Sequence, residues 1–165
     1  MKAFVAVVLL AACGNNDVDL TGAYEITSEV DSMPCGADQP VTNGAAFLVF
    51  KSDELFGTKY FTFSECADAE ATDCSSTGSL FNSLTEPTDN GWNGHITSWS
   101  GAGGQCGMSV VEEDATLSGN TLTLDVTDRS GTIALPDSEC TKDAPDDHVN
   151  ELECTEHHGY IAVKR

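Results

Sequence analysis

The chain is poor in positive charge. Seven Lys and Arg stand against 27 Asp and Glu, a formal net charge of −20. Binding nucleic acid through phosphates needs clustered Lys and Arg, so that class is excluded. A surface this acidic is also repelled by anionic lipid headgroups. Long hydrophobic runs are missing as well. The uncharged apolar stretch Ala3–Ala12 is far shorter than the about 20 residues a membrane-spanning helix needs. Apolar residues at helical spacing are almost absent. So are the short catalytic and ion-binding patterns G-x-S-x-G, S-x-x-K, H-E-x-x-H and the twelve-residue calcium loop. Gly101–Gly107 reads GAGGQCG, with Cys106 where a dinucleotide fingerprint needs its last glycine, so it reads as a flexible turn. No two cysteines have C-x2-C spacing, which argues against a structural zinc site.

What is present begins at the N-terminus. Met1-Lys2 supplies a charge, Ala3–Ala12 an apolar core, and Gly14-Asn15-Asn16-Asp17 a polar stop. This is the layout of an export signal. Leu10-Ala11-Ala12-Cys13 resembles the lipobox of bacterial lipoproteins. The resemblance implies cleavage before Cys13, a diacylglyceryl group on its thiol, and an acylated new amino terminus. Residues 1–12 are then the removed signal peptide, 13–19 the lipidated cysteine and tether, and 20–165 a single β domain. Several acyl chains anchor stably where one holds marginally. The expected location is the cell envelope, with Gly14 favouring the outer membrane. The lipid, and not the acidic surface, is the expected contact with the membrane.

Cysteine arithmetic agrees with export. Setting Cys13 aside leaves Cys35, Cys66, Cys74, Cys106, Cys140 and Cys154, an even set suited to an oxidising compartment. Loop-closure cost favours the local pairs Cys66–Cys74 and Cys140–Cys154, which leaves Cys35–Cys106.

Short alternating segments separated by turns follow. Strands are expected over Tyr24–Val30, Ala45–Lys51, Gly57–Ser64, Ser79–Leu84, Trp92–Ser100, Met108–Leu117, Thr121–Thr127, Thr132–Leu135 and Leu152–Val163. Ser52–Phe56 links the second and third as a hairpin, and Ser118-Gly119-Asn120 is the clearest hairpin turn. Asp147–His158 has an alternative reading as one short helix. The fold class is all-β: an antiparallel up-and-down barrel or a β-sandwich of about eight strands, stapled by disulfides. Gly22 followed two residues later by Tyr24 on the first strand resembles the opening of lipocalin-like barrels, which would favour the barrel.

Candidate chemistry is sparse. Trp92, Trp99, Tyr60 and His95, with Phe61 and Phe63, are candidates for a ligand pocket. Between Asp143 and His158, the histidines His148, His157 and His158 lie among carboxylates that include Asp146, Asp147, Glu151, Glu153 and Glu156, a donor mixture suited to zinc or copper. Adjacent His157 and His158 on a strand would point to opposite faces. No catalytic residue and no cofactor is assigned. The expected function is that of a membrane-anchored, exported, monomeric lipoprotein whose non-enzymatic β domain binds a small ligand or an envelope partner. The alternative is an envelope hydrolase or a metal-binding protein using residues 143–158.

Overall fold

The computed structural model describes residues 18–75 and 83–165. Cys13, the rest of the lipobox and most of the predicted strand Ser79–Leu84 lie outside these residues. The elements in chain order are β1 (Gly22–Ser32), β2 (Gln39–Pro40), β3 (Phe47–Leu55), β4 (Thr58–Cys66), β5 (Ser83–Leu84), β6 (Glu86–Pro87), β7 (Gly91–Ala102), β8 (Gln105–Ser118), β9 (Thr121–Ile133), α1 (Ala144–Asp147) and β10 (Glu153–Lys164). They form one nearly closed antiparallel barrel, in the order β5-β4-β3-β1-β10-β9-β8-β7-β6, with β2 beside β1. The first long strand pairs with the last, Tyr24 opposite Lys164. Every other long strand pairs with its neighbour in sequence, the up-and-down arrangement.

The seam is the segment 83–87. Its first half pairs with β4, Leu84 opposite Phe61, and its second half with β7, Pro87 opposite Trp92. The Thr85 N–H bonds the Asn93 carbonyl at 2.9 Å between them.

Turn chemistry sets the hairpins. Phe56 (φ 52°) and Gly57 (φ 84°) form a two-residue turn with both residues left-handed, as do Gly103 (φ 65°) and Gly104 (φ 76°). The β3–β4 link is therefore two residues, and not Ser52–Phe56, because the ladder runs to Leu55 opposite Thr58. Thr132–Leu135 is no separate strand; its first half continues β9.

Period-two alternation fills one end of the barrel. Tyr24, Leu48, Phe50, Phe61, Phe63, Leu84, Trp92, Ala115, Leu122, Leu124, Tyr160 and Ala162 form the core there, with Leu20 from the segment preceding β1. Phe61 meets Trp92 edge-on at 5.0 Å, and the Trp92 indole N–H donates to the Val18 carbonyl at 2.7 Å. This apolar floor seals the end where β1 begins and β10 finishes.

The outer face of β8 is covered too. Cys106, Met108 and Val110 alternate with the inward residues and pack under Ala144 and Leu152. The helix is thus Ala144–Asp147, earlier than the alternative Asp147–His158, because the ladder with β9 draws 153–164 into a strand.

The disulfides are Cys35–Cys154, Cys66–Cys74 and Cys106–Cys140. The local pair is as expected; Cys35–Cys106 and Cys140–Cys154 are corrected. Cys35 follows β1, whose end lies against β10 with Ser32 opposite His157, which brings it to Cys154. Cys106 is opposite Ile133, and the chain leaving β9 folds back over it. A Cβ on Gly101 would press on the Cys140 sulfur at 2.6 Å. Strand topology outweighs loop length. All three bridges lie at the mouth, the end away from the apolar floor.

Candidate functional site

Strand register decides which polar residues face inward. In β1 the register shifts between Ile26 and Ser28. This bulge at Thr27 inverts the alternation. Tyr24 and Ile26 point inward before it, and Glu29 and Asp31 point inward after it, opposite Tyr160 and His158. On β4, Glu65 continues the inward row of Phe61 and Phe63. On β10, Glu156 and His158 continue the row of Tyr160 and Ala162. Above the floor, β1, β4 and β10 therefore line the barrel with acids and one imidazole.

These groups form a network. The Tyr160 hydroxyl donates to Glu65 through a short hydrogen bond. His158 Nδ1 is 3.2 Å from the Tyr160 hydroxyl and Nε2 is 2.7 Å from Glu156 Oε1. One ligand atom from each of Glu29, Glu65 and His158 lies within 4.8 Å of the others, all three side chains half-buried. A Cβ on Gly44 would overlap the Glu29 carboxylate, so a glycine there lets the 41–46 loop close over it.

Electrostatics show a deficit of positive charge. Burial pushes the Glu29 carboxyl up, Glu65 and Asp31 add to the push, and His158 opposes it. No lysine or arginine figures among those influences. Burial also raises Asp128, with Glu156 adding and the Thr155 hydroxyl opposing. Tyr160 is raised by burial first and by Glu65 second. Protons or a cation are favoured here.

The sequence-derived candidates scatter. Trp92 is core, inward and bonded to Val18. His95, Thr97 and Trp99 share the outer face of β7; His95 Nε2 is 2.7 Å from Asp146 Oδ1 and Trp99 is opposite Met108. Tyr60 lies on the outer face of β4, opposite Asp53. The proposed set Trp92, Trp99, Tyr60 and His95 is therefore not one pocket; the barrel wall divides it. Of the histidine trio, His148 bonds Glu151 at 2.7 Å and His157 lies 3.1 Å from Asp38 on the outside. His158 alone of the three faces inward, since alternation sends its neighbour out. Glu29 and Glu65 are not among the sequence-derived candidates: the first is hidden by the bulge, the second by the acidic loop that follows it. A groove of about 500 Å³ beside His95 is lined by Glu86, Glu112, Asp114, Asp125 and Thr127.

No protein-family model, no curated protein and no solved structure matches this chain.

Proposed function

We propose that the mature protein is a lipid-anchored, exported, non-enzymatic barrel that binds a divalent cation of the zinc class inside its acidic half. One observation carries this: Glu29, Glu65 and His158 converge within 4.8 Å above a filled apolar floor. Two carboxylates and an imidazole match zinc's preference for mixed nitrogen and oxygen donors. Glu65 keeps its orientation through Tyr160, and His158 gives one ring nitrogen to the ion while the other keeps its hydrogen bond. His95, His148 and His157 lie on the outside, so His158 is the one imidazole of the histidine-bearing candidates in this half of the barrel. The membrane attachment rests on the lipobox resemblance at Leu10–Cys13. Among the described residues no helix is long and apolar enough to cross a membrane.

The test is calorimetry of the oxidised protein with Zn²⁺ at 0.15 M salt, where screening suppresses generic attraction. One saturating site per chain is expected. Glu65→Gln and His158→Gln should each weaken it at least tenfold, and His148→Gln and His157→Gln should leave it unchanged. Heat that does not saturate, or that vanishes with the outer histidines, rejects the reading. Intact mass of the membrane-extracted protein tests the lipid on Cys13.

A further inference from the structure

The β3–β4 hairpin projects beyond the apolar floor. Gly22, the first residue of β1, lies opposite Phe50, and β3 runs on to Leu55 before it turns. Phe56 is 100 % exposed and Leu55 58 %. Phe56 also sits at φ 52°, a left-handed position that Asn, Asp or Gly fills with less strain. A large apolar side chain that buries nothing and strains its backbone contributes nothing to the fold.

Two further features meet at this end. The described chain begins here: Val18 is pinned by the Trp92 indole and Leu20 is fully buried in the floor, so whatever precedes Val18 joins the barrel at the floor side. The rare cations gather here too. Lys51 and Lys59 flank the tip on β3 and β4, Lys164 ends β10 opposite Tyr24, and the Arg165 amide bonds the Ala23 carbonyl. Among the described residues, only Arg129 and Lys142 lie elsewhere. Asp53 and Glu54 share the hairpin, with Glu54 opposite Lys59. Glu25 pairs with Arg165, Asp19 lies near Lys59 and Lys164, and Asp89 sits in the turn before β7, so charge at this end is close to balanced and the mouth is acidic.

We propose that Leu55-Phe56 is a membrane-contact tip that enters the headgroup region of the bilayer holding the N-terminal lipid. It seats the barrel floor-down, with the acidic mouth toward water. Local charge balance removes the repulsion that keeps the rest of the surface off the bilayer. This rests on the lipid-anchor reading, because the tether is what brings the tip to the surface.

The test uses the lipidated full chain carrying Phe56→Trp, purified from membranes and reconstituted into phosphatidylcholine vesicles with brominated acyl chains. Emission added by the substitution should fall at least twofold relative to unbrominated vesicles. The wild type should change little, because Trp92 is buried and Trp99 lies toward the mouth. A chain that floats with the vesicles while the F56W indole stays unquenched overturns the tip and leaves the anchor standing. A chain without acyl mass that does not float overturns both. A second variant separates contact from stability. Phe56→Gly relieves the left-handed strain and should raise the denaturant midpoint. It should also abolish the several-fold slowing of amide exchange that vesicles impose on residues 51–59 of the wild type. If stability and vesicle protection change in the same direction, the tip is structural and the proposal fails.

Discussion

Glu113 lies directly opposite Gly94 on the neighbouring strand, and its carboxylate fills the space that a Cβ on Gly94 would occupy. The side chain points inward, 2 % exposed, and among the described residues neither oxygen has a well-formed hydrogen bond. Across β9 it faces Val126. An acid in such surroundings holds its proton, because the charged form has lost its water and gained little in return.

Stability should therefore fall as pH rises. Burial pushes Glu113 from 4.5 up to about 7, with a backbone contact from Ser83 opposing. Below pH 4.5 both folded and unfolded chains carry the proton and the folded state loses nothing. Between 4.5 and 7 the unfolded chain ionises first, and stability drops by about 1.4 kcal/mol per pH unit, roughly 3 kcal/mol in all. Urea unfolding at pH 5 and pH 8 measures it. Glu113→Gln should remove most of the difference; an unchanged pH slope in that variant would assign it to other groups.

Gly94→Ala should destabilise the barrel by about 1–3 kcal/mol, the usual cost of overpacking. The added methyl meets both the Glu113 carboxylate and the Ser83 carbonyl of the seam, and the latter is backbone. Glu113→Ala in the same chain should therefore restore only part of the loss. Thermal melts of the two single variants and the double variant decide this.

Non-reducing peptide mapping should recover Cys35–Cys154, Cys66–Cys74 and Cys106–Cys140. The bridges should differ in weight. Cys35–Cys154 spans 119 residues and Cys66–Cys74 spans 8. Chain entropy makes loss of the long bridge costlier by on the order of 2 kcal/mol. Paired Cys→Ser variants compared in denaturant would show it, and equal losses would count against the entropic account.

Zinc affinity should fall as pH drops, and should start to do so above the range expected for ordinary carboxylates. Glu29 is raised by burial and by Glu65, so it takes up its proton earlier and the ion must displace it. Calorimetry in buffers of different ionisation enthalpy counts the protons released. Zinc binding without proton release at mildly acid pH would place the ion elsewhere.

The floor was legible because alternation without interruption is a reliable sign of an inward row. Leu122 and Leu124 face the core as the sequence alone indicates, and Tyr160 and Ala162 oppose Ile161 and Val163. The site was not, because its members depend on an interruption. Continued alternation from Tyr24 would send Val30 inward; one extra residue at Thr27 sends Glu29 and Asp31 there instead. Nothing in Ile26-Thr27-Ser28 marks that bulge. Glu65 reads as the start of an acidic loop, yet the β4 ladder extends through it to Cys66 opposite Phe47. Cys66–Cys74 was legible from spacing; the other two pairs were not, for a related reason. Neighbours across the β1–β10 closure are distant in sequence, so spacing favours the wrong partners.

That closure also sets an order of events in time. The first long strand finds its principal partner only in the last, with Glu25 opposite Val163 and Asp31 opposite His158. While the chain is being made, β1 is without that partner, since β3 covers only its first residues, Gly22–Glu25. The meander β7–β8–β9 can assemble from local contacts, and the ring cannot close until residues near 164 are free to move. A chain shortened by its final strand would leave open edges on both β1 and β9, surfaces that recruit other chains. Arrival of β10 is thus itself the trigger for the barrel, and for the convergence of Glu29 and Glu65 with His158 on that strand.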